Sequence, residues 1–279
     1  MKSCLGAYTC TGVFFMNLKN RKGAGRMTAR KKSAFKKLLI CICAAAFVLA
    51  GIEVASFFYF ISQEPAKETA VLPGEEGIVI RSGNAESDQM ALTCNVDWGE
   101  DVLPDMLKTF REKDIGVTFF VTGQWAEKHP DLVRQMYLEG HSVQSHGYSH
   151  KLCSQVDKET IRQEMEKTEK AIQKILGYKP TVFAPPSGDY NEAALELCKE
   201  KGYVLSLWSS DTIDWKPGST ADVIRSRILG KPISGAIVLM HPKEETAKAL
   251  PGLIDEIRKR GIEIVPLNDF ICSELKKEV

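Results

Sequence analysis

Residues 145–150 read S-H-G-Y-S-H and directly follow Ser142 to Ser145, a short segment with the composition of a β-strand. Two histidines four residues apart at the end of a strand are candidates for metal ligation, although the same spacing also occurs on polar surfaces. A parallel α/β sheet or barrel collects the residues at the C-terminal ends of its strands into one pocket. Polar residues at the ends of other strands are therefore expected to share a pocket with His146 and His150.

Three further segments place polar residues at the ends of strand-like runs. N-V-D-W-G-E-D at 95–101 follows one run, D-T-I-D-W at 211–215 follows Tyr203 to Trp208, and His241 ends A-I-V-L-M-H. Two histidines and one carboxylate form a set that leaves coordination positions open for water and substrate. The residues themselves therefore predict a site for a catalytic divalent metal.

Short β-rich runs alternate with helical patterns from about residue 90 onwards. The runs span 91–96, 117–121, 142–145, 181–184, 203–208, 236–240 and 262–266. Between them, apolar residues recur at helical spacing, as in Leu103, Met106, Leu107 and Phe110. This alternation predicts an α/β fold with about seven parallel strands, closed or nearly closed into a barrel.

The N-terminal part of the chain has a different composition. Residues 1–37 carry ten of the 37 Lys and Arg residues and none of the 36 Asp and Glu residues. Residues 38–61 are apolar apart from Glu53, Ser56 and two cysteines, which is long enough for one transmembrane helix. By the positive-inside rule, we expect a single-pass protein of the cell membrane, with 1–37 as a cytoplasmic tail and everything after Ile61 outside.

A cleaved signal peptide is the alternative to an uncleaved anchor, because Val48-Leu49-Ala50 offers a small-residue cleavage site. The apolar run continues past Ala50, which favours the anchor. Arg21 to Arg26 resembles a translated ribosome-binding site, so we expect Met27 to be the native start. Residues 62–77 are predicted to be a linker and 78–275 the folded domain. The acidic balance of the chain beyond the tail argues against nucleic acid as a partner.

The segments quoted above resemble the motifs of the polysaccharide deacetylase or NodB-homology family, carbohydrate esterase family 4. A-L-T-C-N-V-D-W-G at 91–99 is similar to the first motif, S-H-G-Y-S-H to the second and F-A-P-P-S-G at 183–188 to the third. D-T-I-D-W is similar to the fourth motif and L-M-H at 239–241 to the fifth. The five motifs occur in the family's order, between about Met90 and Leu267.

The resemblance implies a distorted (β/α) barrel, a bound divalent metal (most often Zn²⁺, with Co²⁺ as another candidate) and hydrolysis of N-acetyl groups. The expected substrate is a glycan that contains GlcNAc or MurNAc, such as peptidoglycan. His146 and His150 would be metal ligands, His241 the general acid and Asp214 the residue that orients it. The implied substrate-binding residues are Trp215, Pro185, Pro186, Ser187, Gly188, Tyr190 and Trp98, while Asp211 is expected to be structural.

The first and third motifs depart from the family pattern. Asn95 stands where the family has its catalytic base, and a carboxamide cannot accept a proton at physiological pH. Allowing one inserted residue places Asp97 at the position of the metal-binding aspartate. Ala184 replaces the arginine that usually tethers the base. Loss of both members of a charged pair avoids leaving one buried charge uncompensated, so the change reads as a coordinated redesign.

Three functions are compatible with these residues. The first is an active deacetylase in which Asp97, Glu100, Asp101 or Asp189 does the work of the base, or in which metal-bound hydroxide needs none. The second is a catalytically silent glycan-binding homologue, and the third is a metal amidohydrolase that acts on a non-carbohydrate C–N bond. The retained histidines and the Asp214/His241 pair favour the first.

Overall fold

The structure is a computed structural model that describes residues 78–277. The predicted tail, the proposed start at Met27, the anchor at 38–61 and the linker at 62–77 lie outside these residues, so they stay predictions. Within residues 78–277, no helix is long and apolar enough to cross a membrane.

Nine strands and eight α-helices make up the described part of the chain. The strands are β1 Val79–Ile80, β2 Gln89–Val96, β3 Thr118–Val121, β4 Ser142–Ser145, β5 Val182–Phe183, β6 Val204–Ser206, β7 Ser210–Asp211, β8 Ile237–Met240 and β9 Glu263–Ile264. The helices are α1 Leu103–Glu112, α2 Gly123–Lys128, α3 Pro130–Leu138, α4 Lys158–Leu176, α5 Glu192–Lys201, α6 Ala221–Leu229, α7 Glu244–Lys259 and α8 Leu267–Lys277. Single 3-10 turns lie at Cys153–Gln155 and Pro186–Gly188.

The strands form one parallel sheet in the order β1-β6-β5-β4-β3-β2-β8-β7, with β9 paired to the start of β2. All the strand pairs in this sheet are parallel. An antiparallel bridge between Ser82 and Ala236 links the segment after β1 to the start of β8. The result is a parallel-strand α/β half-barrel, which agrees with the predicted class. Every predicted run contains a strand.

Burial of the strands on both faces explains their composition. Seven of the eight residues of β2 are buried, as are all four residues of β3 and of β8, because helices cover the sheet. The main core joins these strands to α1 and α7 through side chains such as Leu92, Phe110, Val238 and Leu253.

Local sequence signals set the ends of the long helix α4. The Asp157 carboxylate accepts a hydrogen bond of 2.8 Å from the Thr160 N–H, which caps the N-terminus. Gly177, with φ of 81°, ends the helix in the left-handed conformation that favours glycine. The helix buries one stripe that includes Ile161, Met165 and Ile172. Glu164 lies on the same buried stripe, which becomes important at the site.

Candidate active site

His241 and Asp214 form a closely bonded pair at the end of β8. The ring Nδ1 of His241 lies 2.8 Å from Asp214 Oδ1, and the His241 backbone N–H donates to Asp214 Oδ2 at 2.7 Å. The Thr246 hydroxyl at the start of α7 donates to the same Oδ2, also at 2.7 Å. Burial by itself would raise the pKa of Asp214, but these hydrogen bonds and the charge of His241 hold it below its usual range. The carboxylate therefore stays ionised and can stabilise a protonated His241.

His146 and His150 flank the loop after β4, and their ring centroids lie 5.1 Å apart. The Nδ1 of His146 lies 2.7 Å from the Ala184 carbonyl oxygen, so Nδ1 carries the hydrogen and Nε2 is left as the acceptor. Metal-binding histidines usually have their second nitrogen held in this way. Burial, and after it the nearby charge of His150, lowers the pKa of His146 to about 3. The His146 imidazole is therefore neutral, as a metal ligand must be.

Glu164 on α4 holds the loop that carries the two histidines. Its Oε2 accepts from the backbone N–H groups of Tyr148 at 2.9 Å and Ser149 at 2.6 Å, and its Oε1 accepts from the Ser149 hydroxyl at 2.7 Å. His150 itself has φ of 57°, a conformation that costs free energy in a residue with a side chain. The sequence analysis did not single out Glu164, although an acid on the apolar stripe of a helix was the signal for it.

The two pairs face one cavity of about 410 Å³ at the C-terminal ends of the strands. The side chains that line it are Asn95, Asp97, Trp98, His146, His150, Ser187, Trp208, Asp211, Trp215, Leu239 and His241. Three of the four predicted catalytic residues line it directly: Asn95, Asp97 and His241. The fourth, Asp214, bonds to His241. Trp208 and Leu239, which the sequence analysis did not name as site residues, also line it, and so does Asp211, which was expected to be structural.

Two exposed tryptophans border this cavity. Trp98 stacks on His241 with ring centroids 6.4 Å apart and planes 11° apart, and the Lys243 ammonium lies 4.2 Å from the Trp98 ring centroid. Trp215 is 59% exposed. Both rings also border a neighbouring cavity of about 750 Å³. Exposed indole rings are suited to packing on the apolar faces of sugars.

Gly99 allows the turn after Trp98 to approach the loop after His241. Its φ is 95°, and a Cβ at this position would lie 2.4 Å from the Pro242 ring. A residue with a side chain could not keep both the conformation and the close approach. The stacking of Trp98 on His241 therefore depends on glycine at position 99.

The third motif contributes only one residue to the cavity wall. Ser187 lines the cavity and has φ of 57°. The other predicted substrate-binding residues of this motif lie in the same turn but are not among the residues that line it: Pro185, Pro186, Gly188 and Tyr190. The Tyr190 hydroxyl accepts a hydrogen bond of 2.6 Å from Arg81, which holds its ring away from the cavity.

The carboxylates in and after the first motif bond to different residues and line different cavities. Asp97 Oδ1 accepts from the Thr122 hydroxyl at 2.7 Å, while Asp97 still lines the cavity. Asn95 is buried beside it. Glu100 accepts from the Trp125 indole N–H at 3.4 Å and, like Asp101, lines the larger cavity instead.

The neutral ring of His146, with its Nδ1 held by the Ala184 carbonyl oxygen and the His150 ring 5.1 Å away, fits a divalent metal. In the part of the chain that the structure describes, no three His, Cys, Asp or Glu side chains form a group that could hold a metal ion. His146 and His150 are two imidazoles that fit as ligands. The assignment of Asp97 as the third ligand stays a prediction, because its Oδ1 is held by Thr122.

Comparison with known sequences and folds identifies the family. Residues 82–206 match the sequence profile of the family described as polysaccharide deacetylase. A peptidoglycan-N-acetylglucosamine deacetylase from Bacillus cereus is 31% identical over 202 residues, which cover 71% of this chain and 73% of that protein. The chain belongs to the polysaccharide deacetylase family. Deacetylases of this family hydrolyse N-acetyl groups and are generally metal-dependent.

Two other relatives of this chain carry different descriptions. The uncharacterized protein YlxY from Bacillus subtilis is 34% identical over 192 residues, which cover 69% of this chain and 60% of that protein. A crystal structure described as a family pseudoenzyme from Bacillus anthracis is 30% identical with a TM-score of 0.67 and covers 69% of this chain and 68% of that one. A mutant of that pseudoenzyme, with the same TM-score, 28% identity and coverage of 69% and 70%, is described as having restored enzymatic activity.

Proposed function

We propose that this polysaccharide deacetylase removes N-acetyl groups from the amino sugars of a peptidoglycan-type glycan, with a divalent metal at His146 and His150. The observation that carries the proposal is the placement of the Asp214–His241 pair and the two imidazoles around one cavity. The peptidoglycan deacetylase from Bacillus cereus supports the substrate class.

His241 is the group that delivers a proton to the leaving nitrogen. Its Nδ1–H donates to Asp214, so the opposite ring nitrogen, Nε2, is free to hold and release a proton toward the cavity. An amine leaves an amide readily only if its nitrogen is protonated as the C–N bond breaks. The ionised Asp214 fixes the orientation of the imidazole for the transfer.

A bound divalent ion would supply polarisation of the acetyl carbonyl and a lower pKa of the attacking water. His146 is already fixed for that purpose by the Ala184 carbonyl oxygen. Trp215 and Trp98 would hold the sugar by ring stacking.

Acetate release by the purified full-length chain tests the proposal. The substrates are peptidoglycan fragments and chitooligosaccharides, each with metal-stripped protein and with added Zn²⁺ or Co²⁺. We expect metal-dependent release of acetate from a glycan, and its loss in His146→Ala and His241→Ala but not in His129→Gln, a histidine outside the cavity. Release from simple amides but from no glycan would indicate the non-carbohydrate amidohydrolase instead.

A catalytically silent glycan-binding protein is the second candidate, and Asn95 is the observation that favours it. The carboxamide occupies the position of the family's base, and Ala184 leaves no charged partner nearby. The Bacillus anthracis pseudoenzyme shows that this fold also occurs without activity. Glycan binding with no acetate release at any metal concentration would establish this function.

We further propose that the domain lies outside the cell membrane, held by the predicted helix at 38–61. The support is the charge asymmetry around that segment. Full-length protein in native cells should remain in the membrane after alkaline washing, and external protease should digest the domain. A soluble secreted form that begins after Ala50 would instead establish cleavage of a signal peptide.

A further inference from the structure

Asp211 is a carboxylate in the wall of the reaction cavity, and the sequence analysis treated it as structural. It ends β7, and its register partner on β8 is Leu239. Paired residues on neighbouring strands point to the same face of a sheet, and Leu239 lines the cavity. Asp211 lines the same cavity as the two imidazoles and His241.

Asn95 shares that face, which places the two residues in one wall. Leu239 also pairs with Thr93 of β2, and Asn95 lies two residues beyond Thr93 on the same side of the strand. β8 is the strand between β2 and β7. The carboxamide at position 95 and the carboxylate at position 211 therefore face the cavity from the two strands that flank His241.

We propose that Asp211 is the catalytic residue that accepts the proton of the attacking water, in place of a carboxylate at position 95. This inference rests on the proposed deacetylase function. The Ile213 backbone N–H holds Asp211 Oδ1 at 2.7 Å, which fixes the carboxylate and leaves Oδ2 for the cavity. The nearby guanidinium of Arg227 donates to the Thr212 carbonyl oxygen through Nη1.

The other carboxylates considered from the sequence are less suitable. Asp97 lines the cavity but is the predicted third metal ligand, and Glu100 and Asp101 line the neighbouring cavity. Asp189 accepts from the Ser154 backbone N–H at 2.7 Å and does not line the reaction cavity. Burial raises the pKa of Asp211 above its ordinary value, which makes it a better proton acceptor than an exposed aspartate.

The step that Asp211 serves balances without any further reactant. Water attacks the acetyl carbon and forms the C–O bond, its proton passes to Asp211, and the carbonyl π electrons move to oxygen. As the carbonyl reforms, the C–N bond breaks with its electron pair on nitrogen, which takes the proton from His241. The products are acetic acid and the amino sugar. The proton on Asp211 returns to His241 through solvent, which restores both groups.

Three variants of the full-length chain test the inference: Asp211→Asn, Asp211→Ala and the matched control Asp189→Asn. We expect Asp211→Asn to lower kcat for acetate release by 100-fold or more with KM within threefold of wild type. Sodium formate should restore part of the activity of Asp211→Ala, because a small carboxylate can enter the vacated space. Asp189→Asn should keep the wild-type rate. Circular dichroism and glycan affinity confirm that each variant is folded and binds.

A double variant distinguishes a proton-accepting role of Asp211 from a structural one. Asn95→Asp combined with Asp211→Asn should recover activity, since it moves the carboxylate to the other strand of the same wall. If Asp211→Asn is folded and releases acetate at the wild-type rate, the inference is wrong and the deacetylase proposal still stands. The same holds if activity is lost and neither formate nor Asn95→Asp restores it. Glycan binding by wild type without any turnover would overturn both proposals.

Discussion

The two halves of the cavity differ in how far each keeps the family pattern. The acid half consists of Asp214, His241 and Thr246, and every oxygen of its carboxylate accepts at least one hydrogen bond. The base half consists of Asn95, Asp97, Ala184 and Asp211, and here the sequence has a carboxamide and a methyl side chain where the family resemblance predicts a charged pair. A buried carboxylate is stable only with its partners, so loss of one charge removes the reason for the other. The acid half has both of its bonded partners, and the base half has neither member of the expected charged pair.

Asp214→Asn should have the largest effect, because the acid half depends on this single carboxylate. The amide can accept only through one oxygen, so the protonated form of His241 loses most of its stabilisation. We expect acetate release to fall by about 1,000-fold, within the range for general acid–base groups. The control is Asp222→Asn, an exposed aspartate that bonds only to Arg225 in the described contacts. A loss of less than tenfold would mean that His241 does not need Asp214.

His141 gives the chain a pH-dependent stability that must be separated from the pH dependence of catalysis. It is buried between Phe110 and Phe119, and burial lowers its pKa to about 4 from 6.5. Between pH 4 and pH 6.5, His141 is therefore protonated in the unfolded chain but neutral in the folded chain. The contribution of His141 to the free energy of unfolding does not change above pH 6.5. Below it, the free energy of unfolding falls as pH drops, by roughly 3 kcal/mol at pH 4.

The wild type minus His141→Gln difference isolates this contribution, because the neutral His146 adds a similar slope to both proteins. Gln can still accept from the Val117 N–H, which His141 Nδ1 accepts at 3.3 Å. Urea unfolding at pH 7, 6, 5 and 4 should show the two free energies of unfolding diverging below pH 6.5. Parallel curves would show that His141 is not held neutral.

Asn95→Asp should raise the rate of acetate release in the presence of metal, and so bring the base half closer to the family pattern. We expect a gain on the order of 100-fold, the lower end for a general base, because Asp211 already accepts a proton. The melting temperature should fall, since Ala184 provides no charge to pair with the new carboxylate.

Asn95→Asp combined with Ala184→Arg should then recover the lost melting temperature. The control for the new charge is Asn84→Asp, at an exposed asparagine outside the motifs. If Asn95→Asp releases acetate no faster than wild type, the base half already has a working proton acceptor. Asp211 is the residue proposed for that role.

The sequence predicted the seven main strands, the Asp214–His241 pair and the grouping of His146 and His150, because each rests on a long pattern or a local motif. β1 and β7 were not predicted; β7 ends in an aspartate, a residue type depleted in strands. Asp211 was expected to be structural from the family resemblance alone. Its place in the cavity follows from the pairing of β7 with β8, and no pattern in the chain reports which strands are neighbours.

Glu164→Gln should have the smallest effect and should act on the loop that carries His146 and His150 without touching the acid half. The carboxylate accepts three hydrogen bonds from Tyr148 and Ser149, and an amide nitrogen in place of one oxygen cannot accept. We expect a loss of about 2 kcal/mol in the free energy of unfolding and weaker Zn²⁺ binding. Glu166→Gln, on the same helix but bonded to Lys201, is the matched control and should keep wild-type Zn²⁺ affinity. Unchanged Zn²⁺ affinity in Glu164→Gln would show that the backbone alone holds His150 in its left-handed conformation, so that the loop, unlike Asp214 and His241, needs no buried carboxylate to place its imidazole.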